Sequence, residues 1–168
     1  EMRQDFDFVS IVDLDMVYRP DFFKIINEID DDTYFAALGY ALDRDHSEEM
    51  IRRQLSYSTP LSHFVCSGRS QITISKKIYS MFLDILGSEK LYDERFIGWG
   101  AEDSALSFLS TTCKRHGLLN KIELPEMWYH MWHEHTDPTT ERMYNCMALL
   151  RNLDIEYSAK VKDYVSKN

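Results

Sequence analysis

The sequence predicts an α/β domain, a mixed sheet flanked by helices. Short apolar runs of β-branched and aromatic residues alternate with stretches of helical periodicity, which is the pattern of such a fold. Acids, glycines and prolines punctuate the runs, as turns between elements require. With 168 residues and 44% hydrophobic side chains, the chain is long and apolar enough for one core. Residues 1–155 are expected to form that domain, with residues 156–168 as a polar tail.

Phe6 to Val12 is β-rich and stops at Asp13-Leu14-Asp15, which reads as an interior strand with carboxylates at its C-terminal edge. Pro20 then precedes Phe22, Ile25, Ile26 and Ile29 at helical spacing, so a helix is expected from Asp21 to about Asp30. Tyr34 to Leu42 is a second strand. Asp43 to Pro60 is polar and charged; it reads as a long excursion, with Asp45 to Glu49 able to open a short helix. Phe64 to Gly68 carries a strand-and-turn signal, and Gln71 to Ser75 reads as another short strand. Lys76 opens a helix whose Tyr79, Phe82, Leu83 and Leu86 share a face, closed by Gly87. Asp93 to Gly100 is loop-like, and Glu102-Asp103 begins a helix through Ala105, Leu106, Leu109 and Cys113 to Gly117, its first-turn acids matching the helix dipole. Ile122 to Pro125 is expected to be an edge strand ended by proline. A last helix covers Thr139 to Leu153, and the tail from Glu156 is expected to fray.

Composition excludes several function classes. Nine Phe, ten Tyr and three Trp supply surface to bury, so the chain is no disordered segment. A net charge of −9 without a basic run argues against general nucleic-acid binding, where clustered cations must neutralise phosphates. No stretch reaches the roughly 18 to 20 apolar residues of a membrane-spanning helix. Cys66, Cys113 and Cys146 form neither a CxxC pair nor a disulfide framework, which favours a reducing, cytoplasmic setting.

Three constellations are able to carry chemistry. Asp13 and Asp15 end a strand, where the turning backbone lets two carboxylates converge on one hard cation such as Mg²⁺ or Mn²⁺; acids at strand ends are also common without one. Gly98-Trp99-Gly100-Ala101-Glu102-Asp103 joins a flat aromatic face between glycines to paired acids at a helix start, suited to stacking on a sugar and to general-base work. A capped helix after a glycine turn explains the same residues equally well. His130-Met131-Trp132-His133-Glu134-His135 places three imidazoles in six residues. With neither HExxH nor a nearby cysteine, a lone structural zinc site fits poorly, and a solvated turn or one histidine completing an Asp/Asp/His site remain.

In order, VDLDMVYRPDFF, a Ser-Gly turn with ITISKKIY, DERFIGWGAEDSAL and YHMWHEH resemble the C-terminal part of a GT-A-fold glycosyltransferase over roughly residues 6–150. The likeness is to bacterial family 2 enzymes and the galactosyltransferase group with a GWGxED motif, and GWGAED is its most specific element. The resemblance implies a Rossmann-like GT-A domain, here its C-terminal portion without the nucleotide-binding half; such a portion on its own would bind donor weakly. It further implies Mn²⁺ (or Mg²⁺) held by Asp13, Asp15 and a histidine, His133 or else His135. Asp13 would also face the donor, a UDP-sugar or other nucleotide-diphosphate sugar. Gly98, Trp99 and Gly100 would form the platform for a saccharide acceptor. Asp103 would act as base, with Glu102 on a sugar hydroxyl. The implied reaction is inverting sugar transfer in polysaccharide or glycoconjugate assembly, in the cytoplasm or at the inner face of the membrane. The family's further acids after this motif are replaced here by Ser104 and Ala105. Two rivals stand beside it: a non-catalytic carbohydrate- or partner-binding module with the same fold, and a metal-dependent hydrolase using Asp13, Asp15 and more than one histidine.

Overall fold

The structure, a computed structural model, describes residues 6–54, 71–96, 101–134 and 140–168. Its strands are β1 (Phe8–Ile11), β2 (Met16–Tyr18), β3 (Thr33–Ala41), β4 (Gln71–Ser75) and β5 (Asn120–His130), and they form one mixed sheet in the order β1-β4-β3-β5-β2. Among the described residues only β3 and β5 run parallel. The helices are α1 (Phe22–Ile26), α2 (Arg44–Arg53), α3 (Lys76–Leu86), α4 (Glu102–Arg115) and α5 (Thr140–Lys167). The α/β expectation holds at this level.

Strand β3 explains the layering. Its Tyr34 and Ala36 join a core with α3, α4 and α5, whereas Phe35 and Ala37 join a second cluster with Phe22 and Ile26 of α1. Alternate residues of a strand face opposite sides, so helices cover both faces here. Strand β4 is likewise buried on both sides, but its alternation is apolar and polar. Ile72 and Ile74 enter the main core. Gln71, Thr73 and Ser75 are buried yet hydrogen-bonded: Gln71 Oε1 accepts from the Ala37 N–H at 3.0 Å, and Gln71 Nε2 donates to Thr73 Oγ1 at 2.7 Å. Ser75 caps α3 by accepting the Ile78 N–H, and Gly87 ends that helix at φ +64°, a left-handed position that glycine takes without a Cβ clash. The buried face of α3 is Ile78, Phe82 and Ile85, turned slightly from the expected Tyr79/Leu83 stripe.

Strands β1 and β2 stand at opposite edges of the sheet, yet only residues 12–15 join them. A flat sheet of this order spans roughly 19 Å from edge to edge, while the link reaches at most about 18 Å if fully extended. Because the link contains a turn at Leu14-Asp15, the sheet must curl to bring its edges together. The two acids of the link therefore sit where the edges meet.

Three expectations are corrected. The strand read from Phe6 to Val12 as interior is β1, which lies at an edge of the sheet and pairs with β4. Pro125 does not end a strand: β5 continues to His130, and between Leu124 and Trp128 it advances four residues while β3 advances two, from Ala37 to Gly39. Pro125, which has no N–H to give the ladder, occupies this bulge beside Glu126 at φ +56°. Up to Leu124 the strand pairs, among the described residues, with β3 alone, so the edge character is seen over that half. The short helix that Asp45 to Glu49 could open within the Asp43–Pro60 excursion is found as α2, with Asp43 as N-cap accepting the His46 N–H. The expected frayed tail continues α5, because Leu150, Leu153, Tyr157 and Val161 follow at helical spacing and are all buried. The Phe64–Gly68 signal lies outside the described residues.

Candidate metal centre and acid pocket

The β5 bulge sets the register of the site. Trp128 folds onto β3, its Nε1 donating to the Ala37 carbonyl at 3.0 Å. Gly39 makes room for it: a Cβ there would fall 2.1 Å from the Trp128 carbonyl oxygen and 2.3 Å from its ring. Beyond the bulge, β5 turns its free side to β2, with Met16 opposite His130 and Tyr18 opposite Trp128. The Met131 N–H then donates to the Asp15 carbonyl at 2.8 Å, and the Trp132 N–H to the buried Ser47 hydroxyl at 2.8 Å. These bonds pin residues 130–133 against the turn that carries Asp15.

Two imidazoles converge there on one carboxylate oxygen. His130 Nε2 lies 3.2 Å and His133 Nε2 3.0 Å from Asp15 Oδ2, and the two rings meet edge to face at 5.3 Å. The three ligand atoms lie within 4.8 Å of one another, the compact spacing that donors about 2 Å from a common ion require. His133 Nδ1 also sits 3.4 Å from the Glu134 carbonyl. When Nδ1 carries the proton and donates to that oxygen, Nε2 turns its lone pair on Asp15, an arrangement that needs a proton or a cation between them. One oxygen and two imidazoles suit a transition ion better than Mg²⁺, whose preferred donors are oxygens.

Asp13 lies outside this three-atom set. It lines the shallow hollow of about 470 Å³ with Leu14, Asp15, His130 and His133, and also a neighbouring pocket of about 400 Å³ with Ile11, Tyr92, Asp93, Glu94, Phe96, Glu102 and Asp103. In that pocket burial pushes the Asp103 carboxyl up to about 6, with the nearby charges of Glu102 and Asp13 adding to it. Burial, and then the same acids, raise the Tyr92 hydroxyl as well. Across the turn, Tyr18 is raised by burial and by Asp13 and Asp15.

Of the residues expected from sequence, Asp13, Asp15, His133, Glu102 and Asp103 are thus gathered along two adjoining hollows. Gly98, Trp99, Gly100 and His135 lie outside the described residues. Sequence reasoning did not single out His130 over its neighbours, nor Tyr92. His130 reaches Asp15 through the β2·β5 pairing, which joins positions 110 to 114 apart in the sequence and which no local pattern announces. Trp132 had a local signal, being aromatic between histidines; it is 40% exposed beneath the Arg44 guanidinium, 5.2 Å from its ring. Compared with known proteins, the chain matches no family model, no curated protein and no solved structure.

Proposed function

We propose that the protein transfers a sugar, with inversion, from a nucleotide-diphosphate sugar to a saccharide hydroxyl. The observation that carries this reading is the position of Asp13, which lines both the Asp15/His130/His133 hollow and the Asp103 pocket. A donor diphosphate at the first and an acceptor hydroxyl at the second would meet across that one residue. Asp15, His130 and His133 would hold the divalent cation, Mn²⁺ in our reading, which supplies charge neutralisation for a leaving diphosphate. Asp103 takes the hydroxyl proton as the acceptor oxygen bonds to the anomeric carbon and the bond from that carbon to the diphosphate breaks. A carboxylate near pH 6 is well matched to this work at neutrality. Glu102 would hold a sugar hydroxyl, and Gly98, Trp99 and Gly100 the acceptor. Among the described residues no helix is long and apolar enough to cross a membrane, and action in the cytoplasm or at its membrane face belongs to this proposal.

A second reading is favoured by one observation, the pair of imidazoles on Asp15. It makes the site a metal-dependent hydrolase in which water replaces the saccharide. Phosphorus and proton NMR, after chelation of the metal, of reactions with a panel of UDP-sugars, Mn²⁺ and mixed saccharide acceptors separate the two. Sugar transfer predicts UDP release that requires acceptor, together with a new glycosidic signal of inverted configuration. Equal release without acceptor selects the hydrolase. A non-catalytic module predicts no release and no metal-dependent heat when a UDP-sugar is titrated with Mn²⁺.

A further inference from the structure

We propose that the groove between α4, β5 and α5 binds a phosphate monoester carrying an apolar group. This groove, of about 750 Å³, is separate from both hollows around Asp13 and lies in the range of small-molecule sites. Its walls divide by chemistry. Among the described residues, Phe108, Met147 and Leu150 supply an apolar strip, while Lys114, Arg115, Lys121 and Arg151 supply positive charge against Glu123 and Asp154. That balance is unusual for a chain of net charge −9.

The cations differ in their commitments. Lys121 is engaged at the floor: its Nζ donates to Ser107 Oγ and Thr111 Oγ1, both at 2.9 Å, and pairs with Glu123 at 3.2 Å. Elsewhere in the described residues Arg19, Arg44, Arg53, Arg95, Lys90, Lys160 and others each hold a carboxylate. Lys114, Arg115 and Arg151 hold none among the described residues, as is also true of Lys24, Arg52 and Lys162, but the first three line one groove. Lys114 and Arg115 lie in the last turn of α4, where they offset the helix dipole. Arg151 sits in mid-helix and has no such role. Three uncommitted cations beside an apolar strip match an anion with an apolar body. Two guanidiniums suit phosphate oxygens, which they bind in a forked geometry.

The test is titration calorimetry with octyl phosphate, phenyl phosphate and inorganic phosphate at fixed ionic strength. We expect saturable binding of at least one organic phosphate at least tenfold tighter than inorganic phosphate, the gain from burying about two methylenes. A tighter octyl ester points to lipid phosphates, a tighter phenyl ester to compact soluble ones. Arg151→Gln should weaken the organic ligand at least fivefold, whereas Arg52→Gln on α2 should leave it unchanged. Met147→Gln, at an exposed position, should erase the organic advantage while sparing inorganic phosphate. The proposal is overturned by no saturable binding, by equal affinities for the three phosphates, or by equal losses in Arg151→Gln and Arg52→Gln of unchanged melting temperature.

Discussion

Asp15 and Asp103 are carboxylates in two hollows that share Asp13, and their surroundings are opposite. Asp15 stands in an open hollow, its side chain 34% exposed, facing two imidazole nitrogens. Asp103 stands in a pocket with Glu102 and Asp13, where burial and like charge oppose its ionisation. The first environment gathers groups that welcome or deliver positive charge; the second resists negative charge. Carboxylates set apart in this way are suited to different tasks, one to hold a cation and one to exchange a proton near neutrality. Asp13, between them, couples the two.

The comparison breaks most completely at the seam that both regions share. Gly39→Val places a side chain into the Trp128 carbonyl and ring, and we expect a loss of more than about 4 kcal/mol. Far-UV circular dichroism at 25 °C should show an unfolded chain; a native melt would mean that Trp128 has another place to go. Asp103→Asn separates the regions next. On the proposed sugar transfer, turnover should fall by about 10² to 10⁴, the usual worth of a general base, while Mn²⁺ affinity stays within about twofold because Asp103 is outside the proposed ligand set. His130→Ala should do the reverse to the cation, lowering Mn²⁺ affinity at least as much as the roughly 10- to 100-fold that loss of an outer-shell partner costs. An unchanged affinity would remove His130 from the ligand set.

Smaller effects sharpen the Asp103 side. Its carboxyl is raised from 3.8 to about 6 on folding, so the group opposes folding fully above pH 6 and not at all below about pH 4. Stability from this group therefore falls as pH rises between those values. Asp103→Asn removes the penalty and should gain about 1 to 2 kcal/mol at pH 8, discounted for the partial exposure of the site, and nothing at pH 4. Urea melts at the two pH values check it. Asp13→Asn takes away only the last of the three causes; the pH–rate midpoint should move to lower pH by less than about one unit.

Much of the fold was legible because its signals are local. The Gln71–Ser75 run, the helix opened at Lys76 and closed by Gly87, and the Ala105/Leu106/Leu109/Cys113 stripe each declare one element, and each is found in place. The continuation of α5 was also written locally, in Leu150, Leu153, Tyr157 and Val161, but the charged residues between them obscured the stripe. Pro125 misled for a physical reason: a missing N–H ends a regular ladder, and only the bulge opposite Ala37–Gly39 lets β5 go on. The site divides in the same way. Asp13, Asp15 and the histidine cluster stand out by residue type, and Glu102-Asp103 by its place at a helix start. The choice of His130 beside His133, and the turn of Asp13 toward Asp103, follow from sheet curl and from the β2·β5 register. Those are set by packing between distant segments.

The central claim is that Asp15, His130 and His133 hold one divalent cation. Pulsed electron paramagnetic resonance of the Mn²⁺-loaded protein with ¹⁵N-histidine reads the donors directly. The account predicts couplings from two imidazole nitrogens, one lost in His130→Ala and the other in His133→Ala. A spectrum without nitrogen coupling, or one that neither substitution alters, would contradict it.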